Sequence, residues 1–245
     1  MYLVDECMNT LKLHSRLNVG RVGHAAVYIN NKDIYVIGGY NADTNSWLAS
    51  VETCYDAFNN LAVGEDGEIL QQPVWDNNGE MNEPRYYFGC TTWNNEFIFV
   101  FGGMNDRFMQ TALPDGQSKC LNSIERYSVE CSRWDRVELK TYQKFPFCSH
   151  LVAVHLAWDK DRILIVGGQT YNKKSQQFEN LGVVFKFDPI DEKLKACKNL
   201  AATDRFLMGM GISDGLKQVA TLGEKYIHLF DGTNWKTVLR EDVQK

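Results

Sequence analysis

One short sequence motif occurs three times in the chain at an almost constant spacing. IYVIGGY, IFVFGGM and ILIVGGQ contain glycine pairs that begin at Gly38, Gly102 and Gly167, so successive pairs are 64 and 65 residues apart. Each motif is an apolar run rich in β-branched residues that ends in two glycines, which can adopt positive φ angles. A fixed period of this kind indicates a protein built from repeated structural units.

Each unit contains four short apolar segments separated by polar turns. The second unit, for example, reads YYFGCTTW, NNE, FIFVFGG, a long loop and then SIERYSVECSRWDRV. The fourth unit is degenerate, because Leu222-Gly223 replaces the doublet and only Glu224 and Lys225 separate its second strand from its third. Short apolar segments bounded by Asn, Asp and Gly are typical of strands, and no helical period is present. The sequence therefore predicts an all-β chain with four strands per unit.

The doublets and the residues around them resemble Kelch repeats, as found in the propellers of BTB-Kelch proteins. Arg21, Arg85 and Arg205 lie upstream, and Tyr55-Asp56, Tyr127 and Trp134 lie downstream. In that family each repeat is one four-stranded blade of a β-propeller. The resemblance implies one Kelch-type propeller domain over 1–245, with a half blade at 1–20, blades at 21–83, 84–145 and 146–203, and a degenerate blade at 204–245. It further implies that six aromatic residues are wedges between blades: Tyr55, Tyr127, Trp134, Phe187, Phe230 and Trp235.

The first residues match only the second half of a unit. Tyr2 and Asp5 correspond in type to Tyr55 and Asp56, and Leu11 stands where the other units carry Trp. The half blade would therefore consist of two outer strands. Because a repeat buries its faces only against its neighbours, we expect the inner strands to come from the remainder of a longer chain or from another subunit.

The composition narrows the classes of partner. The 245 residues include 26 basic and 31 acidic side chains, a net charge of −5, and no basic run, so we expect neither nucleic acid nor a membrane surface as partner. The opening MYLVDECMNT does not resemble a signal peptide. The seven cysteines form no CxxC pair and are predicted to be reduced packing residues. These features predict a cytoplasmic location.

Strand alternation predicts which loops share a propeller face. The variable loops 40–50, 104–122 and 169–182 would share one face, and the turns NNKD, NNE and DKD would lie opposite, with a hairpin over 57–74 that turns at Asp66-Gly67. Long loops on a rigid scaffold usually carry binding residues. The candidate partner-binding residues are of the Arg, Met and aromatic types found at interface hot spots: Arg21, Tyr40, Trp47, Arg85, Met104, Arg107, Phe108, Met109, Tyr171, Phe178 and Arg205. The alternative is that these side chains only hold their own loops.

The three arginines among these candidates have a second interpretation. They resemble the positions from which some BTB-Kelch substrate adaptors present arginine to acidic degron peptides. The alternative is that Arg21, Arg85 and Arg205 pair with local Asp residues or with carbonyl groups at strand ends.

An enzyme is the alternative function, because Kelch-type propellers include a copper radical oxidase and sialic acid mutarotases. Metal ligands would come from His24, His150 and His155, of which the first two take similar places before first strands. The phosphate-loop, HExxH and GxSxG motifs are missing from the sequence. We therefore expect core or turn histidines, with no catalytic residue, metal or cofactor.

Taken together, these features predict a non-enzymatic protein-interaction module. It would be an adaptor or subunit of a larger assembly, such as a ubiquitin-ligase adaptor or a cytoskeletal or ciliary scaffold. Its mechanism would be to hold a patch of aromatic and arginine side chains still for a protein partner.

Overall fold

The structure is a computed structural model that describes residues 2–5, 10–13, 15–57, 62–63, 69–71, 73–105, 120–200, 206–212, 218–223 and 225–239. In these ranges every regular element is a β-strand, which confirms the all-β prediction. None of these residues lies in a helix long and apolar enough to cross a lipid bilayer.

The strands occur in chain order as five units. The first is a two-stranded sheet of β1 (Tyr2–Asp5) and β2 (Thr10–Leu13). The second unit contains β3 (Ala25–Ile29), β4 (Asp33–Ile37), β5 (Tyr40–Asn41), β6 (Ser46–Trp47), β7 (Ser50–Cys54), β8 (Ala62–Val63), β9 (Ile69–Gln71) and β10 (Asp76–Glu80). The third unit contains β11 (Gly89–Trp93), β12 (Phe97–Phe101), β13 (Ile124–Ser128) and β14 (Arg133–Arg136).

The last two units follow the same pattern. The fourth unit contains β15 (Val152–Leu156), β16 (Arg162–Val166), β17 (Gln169–Asn172), β18 (Gln177–Asn180), β19 (Val184–Asp188) and β20 (Lys193–Ala196). The fifth contains β21 (Phe206–Ile212), β22 (Gln218–Gly223), β23 (Tyr226–Phe230) and β24 (Trp235–Leu239). In the degenerate unit, β22 is followed almost at once by β23, as predicted.

Four antiparallel four-stranded sheets result, with strand orders β3-β4-β7-β10, β11-β12-β13-β14, β15-β16-β19-β20 and β21-β22-β23-β24. We call them the first to fourth sheets. Three hairpins, β5–β6, β8–β9 and β17–β18, stand apart from them. The β8–β9 pairing confirms the predicted hairpin in 57–74, while its turn at Asp66-Gly67 lies outside the described residues.

Tight turns join the first two strands of a sheet. Asn30 and Asn31, Asn94 and Asn95, and Lys160 and Asp161 all have φ between 51° and 57°. Consecutive left-handed residues define the type I′ turn, whose twist matches that of antiparallel strands. The second strands that follow, such as FIFVF, are continuous apolar runs because they are buried on both faces.

The sheets are arranged radially, as propeller blades. The first strands lie side by side, β3 beside β11, β11 beside β15 and β15 beside β21. Buried apolar clusters fill the spaces between neighbouring sheets, with Tyr35, Phe88 and Trp134 between the first and second sheets. Phe99, Phe101, Phe145 and Phe187 pack between the second and third sheets, and Leu164, Val184 and Phe230 between the third and fourth.

The wedge prediction is confirmed for Tyr127, Trp134, Phe187 and Phe230, which are buried, while Trp235 packs half-buried on the last cluster. It is wrong for Tyr55, which is 44% exposed. The strand register gives the reason. Ile34 pairs with Cys54 in the position where Ile98 pairs with Tyr127, so Cys54 is the buried residue and Tyr55 alternates to the other side.

Candidate functional site

Two hairpins on one face carry a cross-strand aromatic pair directly before the asparagine that begins the tip. In β5–β6, Tyr40 lies opposite Trp47 with ring centroids 5.7 Å apart. In β17–β18, Tyr171 lies opposite Phe178 with centroids 5.3 Å apart and the rings edge to face. Cross-strand aromatic pairs stabilise a hairpin and hold both rings in place. We call β5–β6 and β17–β18 the display hairpins.

The display hairpins are also built alike at the tip and the base. At the tip, Asn41 Oδ1 accepts hydrogen bonds from the N–H groups of residues 43 and 44, and Asn172 Oδ1 accepts from residues 174 and 175. Such Asx turns replace backbone bonds at the bend. At the base, the second glycine of each doublet accepts a 2.8 Å bond from a returning leucine N–H, Leu48 or Leu181. The doublet therefore fixes where each hairpin leaves its sheet.

An aromatic row extends from the first display hairpin across three sheets. It consists of Trp47, Tyr40, Tyr86, Tyr87 and His150. Tyr40 and Tyr86 have ring centroids 6.2 Å apart, Tyr86 and Tyr87 are 4.9 Å apart, and Tyr87 stacks on His150 at 4.2 Å. The row ends at Trp47 beside a cleft of about 300 Å³ that Met81 and Pro84 also line.

The backbone beneath the row repeats from sheet to sheet. Gly23, Tyr87 and His150 all adopt left-handed φ angles of 62°, 52° and 52°. The Tyr87 N–H donates to the Gly23 carbonyl at 2.8 Å, and the His150 N–H donates to the Tyr87 carbonyl at 2.7 Å. His150 is thus equivalent to Gly23 and Tyr87, and the prediction that His24 and His150 take similar places is wrong by one residue. A left-handed conformation costs a residue with a side chain about 1–2 kcal/mol.

Arg21 and Arg85 lie inside the fold, with fully buried side chains. Arg21 Nη1 donates to the carbonyls of Gly38 and Ser50, and Nη2 pairs with Glu52 at 2.5 Å. Arg85 bonds the Gly102 carbonyl at 2.7 Å, the Ser123 hydroxyl at 3.1 Å and the Glu125 carboxylate. We call these two sets the arginine clamps.

The carboxylates of the clamps are also fully used. Glu125 accepts from the Asn82 backbone and side-chain amides at 2.7 Å and from the Glu83 N–H at 3.1 Å. Glu52 accepts from the N–H groups of Asn18 and Val19 in the same way. Burial lowers the pKa of Arg85, and the attraction of Glu125 opposes that shift. Each clamp therefore ties a glycine doublet, a third strand and the incoming connection together.

The clamps correct one part of the predicted interface. Arg21 and Arg85 are structural residues out of reach of a partner, and the alternative of pairing with strand-end carbonyls is confirmed, although the acid is Glu and not Asp. Met104 is also removed from the surface, because it is 5% exposed and its backbone bridges Tyr86 and Cys120. Arg107, Phe108, Met109 and Arg205 lie outside the described residues and stay predictions.

The remaining described candidates lie in the display hairpins, and their role in binding stays a prediction. Tyr40, Trp47 and Tyr171 are half-buried, and Phe178 is 38% exposed. The sequence reasoning missed Tyr86 and Tyr87 and gave His150 another role. Alignment on the arginine places Val22-Gly23 and Tyr86-Tyr87 in register, but Cys148 replaces the arginine before Ser149-His150, so the sequence held no such signal for His150.

The histidines named as metal candidates have different surroundings. His150 belongs to the aromatic row, whereas the His155 Nε2 lies 3.5 Å from Asp161 near the opposite face. Burial lowers the pKa of His155, and Asp161 opposes the shift. Within the described ranges, no group of three His, Cys, Asp or Glu residues is placed to hold a metal ion.

Comparison with known proteins places this geometry in a family. The sequence profile of the KLHDC2/KLHL20/DRC7 Kelch-repeats domain matches residues 2–201. Alpha-scruin from Limulus polyphemus is 25% identical over 229 residues, which is 92% of this chain and 20% of alpha-scruin. The solved structure titled "Structure of YjhT" matches with a TM-score of 0.62 at 12% identity, over 90% of this chain and 66% of that one. The chain thus spans only a fifth of the curated relative.

Proposed function

The chain belongs to the Kelch-repeat family, and from this premise we propose that it is a protein-interaction module. Its partner binds the display face, which we define as the two display hairpins together with the aromatic row. The observation that supports this most is the repetition of an aromatic pair directly beside the Asx turn of two hairpins that belong to different units. Aromatic residues on a rigid support are the usual anchors of protein interfaces.

Preorganisation is the physical basis of the proposal. The Asx turns, the leucine bonds to the doublets and the ring contacts hold these side chains before a partner arrives. Binding then costs little side-chain ordering, so more of the contact energy appears as affinity. A protein interface of standard size buries roughly 1,600 Å² in total, which requires several loops and not one.

The finer parts of the proposal concern setting. We place the module in the cytoplasm as an adaptor or scaffold subunit, where it binds without catalysing a reaction. Cys54, Cys90, Cys120, Cys131, Cys148 and Cys197 carry thiols and form no disulfide with one another, which supports a reducing compartment. The two-stranded β1–β2 sheet supports the idea that further strands, from a longer chain or another subunit, complete that blade.

Affinity capture from the native cell tests the proposal. We expect the protein to capture a defined polypeptide, and Tyr171→Ala with Phe178→Ala to reduce that capture at least about tenfold, since each truncated anchor typically costs more than 1 kcal/mol. Ile190→Ala is the matched control, because Ile190 is 73% exposed in a turn on the opposite face. Circular dichroism checks that all variants fold.

Two results would overturn the proposal. Equal loss of capture in the Ile190 variant and the hairpin variant would show that the display face is not the binding surface. Stoichiometric copper or iron in the purified protein, together with oxidase activity, would instead favour the enzyme class.

A further inference from the structure

We infer that the aromatic row binds a proline-rich peptide segment in the polyproline II conformation. The inference rests on the proposed function, because it names the ligand class that part of the display face recognises. Four observations carry it: backbone strain, packing of the rings, hydrogen bonds that hold two of the rings, and an unpartnered donor at the end of the row.

The first observation is strain at two successive sheets. Tyr87 and His150 hold left-handed φ angles of 52° at the position that Gly23 occupies without strain. Glycine satisfies the same backbone geometry there, so the rings at 87 and 150 are not needed to form the connection. Strained residues of this kind concentrate at functional sites, where the surrounding structure holds them in place.

The second observation is that the rings are packed in fixed positions. A Cβ atom at Gly23 would lie 3.1–3.3 Å from the rings of Tyr87 and Tyr86, so these rings rest against the glycine backbone. On the other side Tyr87 stacks on His150 with an interplanar angle of 21°. Tyr87 is still 41% exposed, so the row offers a surface and not only a core contact.

The third observation concerns two hydrogen bonds of the row. The Tyr40 hydroxyl is bonded to Asn45 Oδ1 at 2.6 Å and His150 Nδ1 to the Ser149 hydroxyl at 3.1 Å, so both rings are held by neutral partners of their own unit. Arg21 and Arg85 are neutralised by Glu52 and Glu125 inside the clamps. A ligand with flat apolar rings matches the ring faces that such a row presents, and prolines provide those rings.

The fourth observation is the donor at the end of the row. The Trp47 indole N–H is buried and has no hydrogen-bond partner among the residues that the structure describes. Trp47 lines the cleft at the end of the row, where an acceptor would relieve that cost. A polyproline II segment makes no internal hydrogen bonds, so its carbonyl groups are available as acceptors, and aromatic-lined surfaces recognise it at low entropic cost.

Titration with synthetic peptides tests the inference directly. Isothermal calorimetry would measure binding of an oligoproline peptide, an oligoarginine peptide of equal length and a glycine-serine peptide. We expect the wild-type protein to bind oligoproline and the other two at least about tenfold more weakly, since polyproline II is already ordered before binding. Preferred binding of oligoarginine would overturn the assignment in favour of a cationic ligand.

The decisive variant is Tyr87→Gly, which removes a ring and permits the same φ angle. It should weaken oligoproline binding at least about tenfold, because stacked aromatic anchors dominate such sites, while the melting temperature stays within a few degrees of the wild type. Asn94→Gly is the matched control, since Asn94 is exposed with φ 51° in a turn on the opposite face. Equal affinity of the Tyr87→Gly and Asn94→Gly variants for oligoproline would overturn the inference.

Competition separates this inference from the proposed function. Oligoproline should displace the captured partner from wild-type protein. Capture that depends on the Tyr171 and Phe178 pair but resists oligoproline would refute the ligand class and leave the interaction module intact. Capture that is reduced neither by the Tyr171 and Phe178 substitutions nor by oligoproline would refute the interaction module itself.

Discussion

The first and second sheets use a buried ion pair to fill the space between the glycine doublet, the third strand and the incoming connection. The third sheet fills the same space with apolar side chains, and we call these the two solutions. In the strand register, Arg85, Ser123 and Glu125 correspond to Cys148, Val183 and Phe185. Asn82, which bonds the Glu125 carboxylate, corresponds to Phe145, which is 3% exposed. Cys148, Phe145 and Phe185 all belong to the apolar cluster between the second and third sheets.

The backbone is the same in both solutions. The Gly39 N–H donates to the Arg85 carbonyl at 2.9 Å, and the Gly103 N–H donates to the Cys148 carbonyl at 2.8 Å. The doublets therefore make the same contact between sheets whether the residue opposite is Arg or Cys. Since the contact forms without arginine, the clamps are one of two interchangeable ways to fill this space. This explains why arginines at these positions do not indicate a partner-binding role.

The largest effect should come from breaking one clamp. Glu125→Gln leaves the fully buried Arg85 guanidinium without its main counter-charge, so that among the described residues Glu83, at 3.6 Å, is the carboxylate left beside it. Breaking a buried pair in this way typically costs about 3–5 kcal/mol. Urea unfolding should show this loss, whereas Glu130→Gln, an exposed carboxylate of the same unit, should change the free energy of unfolding by less than about 0.5 kcal/mol. A small loss in the Glu125 variant would contradict the structural role of the clamp.

A glycine substitution tests the glycine doublet, whose contact between sheets is the same in both solutions. Gly38→Ala would place a Cβ 2.6 Å from the Arg85 carbonyl oxygen at a φ of +59°. Strain and overpacking together should cost about 3 kcal/mol. Gly167→Ala, with φ +72° in the third sheet, should also destabilise if the doublet matters in both solutions.

The control for this test is Gly79→Ala, where φ is +77° but no atom lies within 4 Å of the new Cβ. It should lose only about 1 kcal/mol by urea unfolding, from backbone strain alone. If Gly38→Ala costs no more than this control, close contact between sheets is not the reason for the doublet.

The smallest effect should come from replacing the buried ion pair of the second sheet with the apolar residue types of the third sheet. Arg85→Cys with Glu125→Phe converts the clamp toward the third-sheet residues, and the larger Phe compensates in part for the smaller Cys. Apolar replacement of a buried ion pair is often nearly neutral, so we expect a loss below about 1.5 kcal/mol. A double-mutant cycle with the single variants should therefore show strong coupling. Loss as large as in Glu125→Gln would show that the two solutions are not interchangeable.

How far the sequence predicted the fold depends on the element. The glycine period and the apolar runs predicted the strands, because both follow from local backbone geometry. The sequence predicted strand register less well. Tyr55 was predicted to be buried where the structure buries Cys54, and His24 was predicted to match His150 where the structure matches Gly23, so each prediction is displaced by one residue. A shift of one residue reverses the side on which a strand residue lies, and only pairing with the neighbouring strand determines it.

The site was predictable in outline only. Hairpin aromatics such as Trp47 and Phe178 were found from loop composition. The burial of Arg21 and Arg85 was not, because it depends on Glu52 and Glu125, which lie 31 and 40 residues further along the chain. The aromatic row was also missed, because its rings come from three sheets that meet only in the folded protein.

On this view of the molecule, the display face meets the partner while the clamps only support it. Hydrogen exchange of the complex isolated by affinity capture tests this directly, because binding protects the amides that it covers. We expect new protection in 40–48, 86–87 and 170–179, with none in the opposite turns 30–32, 94–96 and 159–162. Protection confined to those turns would show that the partner binds the opposite face.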